Sequence, residues 1–306
     1  MRTETPPKRV RHLVGNCCAP EKQPRGFTLI ELLVVISVIS VLTGILVPSL
    51  NRVRQQARRL LGTNNQRQIV NAVNFFASDN DHLYPQSVAT IGTAQWNWAE
   101  PMMLTSRLAR SARVYRSVGA YLRPYIQDAA TMHCPSAPLR YEYLQDVWDA
   151  GDDWDNPQTP FAQDSVSGTY CLYWNYTGFL QDRSYLFKGP RNTAGGRGQS
   201  GLLVSDYFGY GHHRSDNSYG SCEKFPRAEV AEGTVLSSDY WRGYGVDGSS
   251  APAIELHAGY TDGHVERYLS SDTLGMRVIR DTATGAPYLP GNGSPGEFFL
   301  PRTALR

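Results

Sequence analysis

The sequence is short of charge. Its 306 residues carry 30 Lys and Arg against 28 Asp and Glu, a net charge of +2, and charged residues make up only 19% of the chain. So even a balance offers no electrostatic field for a phosphate backbone, and no nucleic acid is expected as a partner. Cysteine is also scarce. Cys17, Cys18, Cys134, Cys171 and Cys222 show no Cys-x-x-Cys spacing, which argues against zinc-ribbon and thioredoxin-type chemistry. A Gly-x-Ser-x-Gly elbow is missing. Gly196–Gly201 fits Gly-x-Gly-x-x-Gly, but a Pro/Gly loop precedes it and a strand-like run, Leu202–Val204, follows, so it reads as a plain loop. No carboxylate pair stands out, and Ser, His and Asp are aligned nowhere, so an enzyme is not expected.

What the chain does have is one long apolar run. From Phe27 to Leu50 the single ionisable residue is Glu31. At about 1.5 Å per residue a helix of that length crosses a hydrocarbon core of roughly 30 Å. A carboxylate near one end of such a helix costs a few kcal/mol unless it finds a partner. Residues 1–26 form a polar, basic leader with Arg2, Lys8, Arg9, Arg11, Lys22 and Arg25. An ordinary secretory signal would instead end its apolar stretch at a small-residue cut. Arg52, Arg54, Arg58 and Arg59 flank the far end, so charge counting leaves the orientation ambiguous. Pro48 predicts a kink or local melting late in the run, with Gly44 a second weak point. The helix then resumes over Asn51–Ala77. Val53, Ala57, Leu60 and Leu61 make one stripe, and Ile69, Val70, Val73 and Phe76 continue it against the chain's own head. Ser78-Asp79-Asn80-Asp81 stops the helix, and Tyr84-Pro85 begins an extended segment.

The stretch Arg25-Gly26-Phe27-Thr28-Leu29-Ile30-Glu31, opening an apolar run, resembles the processing site of type IV prepilins and type II secretion pseudopilins. The resemblance implies cleavage after Gly26 by a prepilin peptidase and N-methylation of Phe27. It also implies pairing of Glu31 with the amino terminus of a neighbouring subunit, and a proline where Pro48 stands. Arg58–Pro85 resembles the helix-to-head junction of a large-headed prepilin-like subfamily, with its Asn-x-x-Gln-Ile core and acidic turn before Tyr-Pro. Members often carry Cys where Leu61 or Gly62 stands here. His133-Cys134-Pro135 and Tyr260-Thr261-Asp262-Gly263-His264-Val265 resemble further features of that subfamily, the second its C-terminal Asp-Gly-His-Val signature. The layout implied is α+β: a leader at 1–26, a membrane-spanning helix at 27–50, an amphipathic continuation at 51–79 and a β-rich head at 80–306. The leader would face the cytoplasm, the helix would sit in the inner membrane, and the head would be periplasmic or otherwise extracytoplasmic. Partners implied are the peptidase, other pilin-like subunits, and type II secretion or type IV pilus machinery. The alternative is a membrane-anchored envelope protein whose head binds a ligand, carbohydrate or metal without polymerising.

With 28 Gly and 19 Pro, the head should be made of many short elements. Trp96–Ser106 and Ala109–Tyr125 read as helices or broken helices, and Asp146–Asp155 as an acidic, aromatic loop. Cys171–Tyr176 and Gly201–Tyr207 read as strands. Ala253–Leu256 and Val265–Leu269 read as a hairpin turning at Asp262-Gly263, and Pro287–Arg306 as a loosely held tail. The mature chain would keep three cysteines. Cys134–Cys171 is the preferred disulfide, with three buried thiols the alternative. Two metal readings stand beside bland ones. His257, Asp262 and His264, with Asp206 or His212, could ligate a transition metal or simply bond their own loops. Asp146, Asp149, Asp152, Asp153 and Asp155 offer hard oxygens for calcium, or form a solvated acidic loop without the EF-hand pattern.

Overall fold

The computed structural model describes residues 27–91, 96–97, 101–107, 114–135, 142–154, 168–180, 186–207, 209–210, 219–220, 223–224, 255–269, 272–281, 286–287 and 297–305. The architecture is α+β, a long N-terminal helix followed by a sheet-rich region. Helix α1 spans Leu29–Asp79 and runs through Pro48 without a break in its assignment. Melting at Pro48 therefore does not occur. Proline lacks the amide that would reach the Gly44 carbonyl one turn back, and the surrounding turns carry the helix across that single missing bond. Two compact units divide within this helix, one ending at Asn51 and the other beginning at Arg52.

In the second unit α1 buries Gly62, Gln66, Ile69, Val70, Val73 and Ala77. The intervals of three and four residues place them on one face. Ile69, Val70 and Val73 are wholly buried, and each such side chain contributes about 1.5–3 kcal/mol of transfer free energy. Phe76 meets the rings of Tyr121 and Tyr125 edge-on at 5.8 and 6.3 Å. The first stripe, by contrast, is exposed: Val53, Leu60 and Leu61 keep more than half their surface. The helix ends as the acidic turn predicts. Asp81 and His82 adopt positive φ, and the His82 N–H donates to the Ala77 carbonyl at 2.8 Å.

In the segment expected as helices or broken helices, the described residues hold short strands and one short helix. Strands β1 (Thr90–Ile91) and β2 (Trp96–Asn97) pair, as do β3 (Thr105–Arg107) and β4 (Val114–Ser117). Met102, Met103 and Leu104 are buried consecutively, which one helix face cannot achieve. Among the described residues there, α2 (Val118–Leu122) is helical, capped by the Ser117 hydroxyl accepting from the Gly119 amide. A 3-10 turn follows at Ala129–Met132. The expected acidic loop is half helix, α3 (Glu142–Asp149), because Leu144 and Trp148 are spaced to face the core.

The remaining strands are β5 (Tyr170–Leu172), β6 (Thr177–Leu180), β7 (Leu186–Lys188), β8 (Leu202–Asp206) and β9 (Gly209–Tyr210). They continue with β10 (Tyr219–Gly220), β11 (Glu223–Lys224), β12 (Glu255–Tyr260), β13 (Val265–Leu269), β14 (Thr273–Asp281), β15 (Ala286–Pro287) and β16 (Glu297–Pro301). One sheet has the order β13-β12-β8-β5, and another has β7-β6-β14-β16-β9 with β15 beside β14, antiparallel throughout. The β12–β13 hairpin turns at Asp262-Gly263 as expected, with Gly263 at φ +91°, but its first strand runs on to Tyr260, so His257 lies in β12. From Glu297 to Leu305 the tail is held in place. β16 pairs with both β14 and β9, and Phe299, Leu300 and Ala304 are buried.

The four-stranded sheet carries α1. Gly259 lies so close that a Cβ there would sit 2.7 Å from Val70 and 2.9 Å from Val204. Cys134 and Cys171 are buried free thiols, a correction to the preferred disulfide. Cys171 stands opposite Ser205 in the sheet, while the Cys134 amide is fixed by the Thr169 hydroxyl at 2.6 Å. Each thiol is a small core residue in its own setting. Cys222 lies outside the described residues.

Candidate functional site

The candidate site is the start of α1. Gly26 lies outside the described residues, while Phe27 is exposed just ahead of the helix. Thr28 and Glu31 form a reciprocal cap. The Thr28 hydroxyl accepts from the Glu31 amide at 3.2 Å, and Glu31 Oε2 accepts from the Thr28 amide at 2.9 Å and its hydroxyl at 2.8 Å. This is the Thr-x-x-Glu capping box, which satisfies two amides that open every helix unpaired. Its signal was present in Thr28-Leu29-Ile30-Glu31, although the carboxylate alone drew attention. The Glu31 side chain is thus engaged within its own first turn.

From there to Leu50 the helix is roughly 33 Å long and its side chains are exposed. Its hydroxyls are turned inward on the backbone. Ser37 donates to the Val34 carbonyl, Ser40 to Ile36, Thr43 to Ile39 and Ser49 to Leu46, at 2.7–2.9 Å. Such back-bonding leaves an apolar surface with its polar groups satisfied, as a hydrocarbon solvent requires. By length and composition this helix can cross a membrane.

The motifs of the helix-to-head junction come together around the second half of α1. Asn65 donates to the His133 carbonyl at 3.0 Å, and Gln68 accepts from the Thr131 hydroxyl at 3.4 Å, so Asn-x-x-Gln-Ile grips the turn before Cys134-Pro135. Asn74 accepts from the Tyr84 hydroxyl at 2.9 Å and donates to the Thr261 carbonyl at 3.2 Å, joining the Tyr-Pro segment and the Asp-Gly-His-Val turn to one side chain. Below them lies a buried polar group that sequence reasoning missed. Gln66 donates to Asp206 Oδ1 at 2.6 Å and to the His257 carbonyl at 3.3 Å, while the His257 amide donates to Asp206 Oδ2 at 2.8 Å. Its only sequence signal was a polar residue on an apolar stripe.

The metal candidates are dispersed among such bonds. His257 Nδ1 lies 3.3 Å from Asp206 Oδ2 in the core, whereas Asp262 and His264 pair at the exposed hairpin turn, Nδ1 to Oδ1 at 2.5 Å, with the imidazole stacked on Tyr260. Desolvation would raise the Asp262 carboxyl, but hydrogen bonds from the His264 amide and ring outweigh it and hold the group below its ordinary value. His212 lies outside the described residues. In the acidic segment Arg123 takes the oxygens a cation would need. It donates to the carbonyls of Asp152 and Trp148 at 2.8 and 2.5 Å, pairs with Asp153 at 3.2 Å and stacks on Trp148. Two further carboxylates there bond locally, Asp149 to Gln145 and Asp152 to the Trp154 amide, while Asp155 lies outside the described residues. Among the described residues no three His, Cys, Asp or Glu side chains are grouped to hold one metal ion.

Residues 22–47 match the family model of the prokaryotic N-terminal methylation motif, in keeping with a prepilin-like N-terminus. No characterised protein and no solved structure is similar enough to the whole chain to be matched with it.

Proposed function

We propose, on the premise of that motif, that the chain is a prepilin-like structural subunit, cleaved after Gly26, N-methylated on Phe27 and assembled through its N-terminal helix. The single observation that carries the reading is the methylation-motif match over a helix that is apolar, exposed and internally satisfied. Cleavage would create an α-amino group one turn from Glu31. An amine and a carboxylate brought together in hydrocarbon cost far less than either alone, so pairing between copies removes two lone charges and fixes their axial register. Glu31 would then exchange its Thr28 partners for a neighbour's terminus. The machine is a type IV pilus or a type II secretion pseudopilus, with the head displayed on the extracytoplasmic side of the inner membrane.

Mass spectrometry of the purified protein tests processing. The expected mature chain begins at methylated Phe27, and a chain retaining residues 1–26 would overturn the reading. Assembly is tested separately with Glu31→Ala, which should leave membrane insertion intact while abolishing or slowing recovery of cross-linked multimers. Unchanged multimers would defeat the register argument and favour an anchored protein that does not polymerise.

A further inference from the structure

Along the outward side of α1 runs a groove of about 690 Å³, walled by the helix on one side and the 125–135 segment on the other. Its size falls within the usual range for ligand sites. The helix supplies Leu61, Asn64, Gln68, Asn71 and Phe75 at intervals of three and four residues, so they form a single row. We propose that this groove binds a neutral oligosaccharide strand.

The chemistry of the walls selects that class. No Lys or Arg lines the groove, so a phosphate, sulfate or carboxylate ligand would find no counter-charge. Its single carboxylate, Asp128, already caps the 3-10 turn through the Ala130 amide at 2.8 Å. Helix backbone cannot pair with an added strand, which removes an extended peptide held by main-chain bonds. Amides remain, and amides both donate and accept, as a row of hydroxyls requires. Asn65 and Gln68 are already fixed by the opposite wall, whereas no hydrogen bond to a described residue engages the Asn64 and Asn71 side chains. Those two lie two helical turns apart, about 10.5 Å, close to the length of a disaccharide. Phe75 keeps 59% of its surface exposed beside them, and Leu61 keeps 54%. An exposed ring next to free amides gives a sugar one apolar face and one polar edge to rest on. The groove lies wholly in the head and its helix, so this inference does not depend on whether the chain polymerises.

The test is calorimetric titration of the full chain, held in a detergent without a sugar headgroup. The probes are three neutral oligosaccharides: a β-linked glucose hexamer, an α-linked glucose hexamer and an N-acetylglucosamine hexamer. At least one should bind, and Asn71→Ala and Phe75→Ala should each weaken it about tenfold. Asn71 is exposed on the helix, so its variant keeps the fold, which circular dichroism verifies. Binding by none of the three, or equal binding by wild type and both variants, overturns the proposal. Sedimentation of the same samples identifies the competing occupant. If no sugar binds and Phe75→Ala dissolves a self-associated species, the groove is an interface with a second copy, and the proposal is equally overturned.

Discussion

Gln66 stands where the apolar stripe of α1 would accept another Ile or Val, yet it is fully buried. Its Nε2 meets a carboxylate that is itself 1% exposed, while its own Oε1 is buried without a hydrogen-bond partner. Gln66→Ala should therefore cost about 1–3 kcal/mol, because Asp206 Oδ1 loses a bond that water cannot replace. Urea unfolding of the head, followed by tryptophan fluorescence, measures it. His133 gives a prediction in pH. Both ring nitrogens are buried, and desolvation pulls the imidazole from its ordinary 6.5 down to about 4. The unfolded chain therefore binds the proton that the folded chain refuses between those values. Stability contributed here is complete above pH 6.5 and is lost as pH falls toward 4. Thermal melts across that window should fall with acid in the wild type and flatten in His133→Gln.

At the scale of elements, the helix–sheet contact rests on one missing side chain. Gly259→Ala would drive a methyl group into Val70 and Val204, and the head should lose about 1–3 kcal/mol as the helix moves off β12 and β8. A thermal midpoint unchanged within error would show that the helix can yield there. Elements with a local signal were legible in the sequence: the long helix from its apolar run, the strand at Leu202–Asp206 from its apolar, β-branched composition and the turn at Asp262-Gly263 from its Asp-Gly pair. Elements without such a signal were not. Met102, Met103 and Leu104 are inside together, so neither a period of two nor of 3.6 survives to be read. In α3 the acidic residues hid the pair Leu144 and Trp148, and at the C-terminus Gly and Pro before residue 297 hid the buried Phe299 and Leu300. The N-terminal motif, matched over residues 22–47, was legible because its residues are contiguous. Thr28, Glu31 and the apolar run after them act within a few turns of one helix, whereas the Gln66–Asp206–His257 group joins residues far apart in the chain.

For the whole molecule, the order of the five-strand path β7-β6-β14-β16-β9 matters most. β16 lies between β14 and β9, and the short turn after it, Arg302–Leu305, buries Ala304. Below it the Thr303 hydroxyl joins Tyr260 and Glu266 from the other hairpin. A chain truncated before Glu297 should leave β14 and β9 with open edges and fail to give a cooperative melt, which calorimetry would show as the absence of a single transition. The sheet has a consequence in time as well. A strand contributed so late occupies an inner position, so residues synthesised earlier cannot close the sheet by themselves. Loop closure over such distances is slow. The head must therefore wait, incomplete and apolar, until residues 297–304 arrive. The apolar helix at the other end of the chain, by contrast, is complete long before that final strand is delivered.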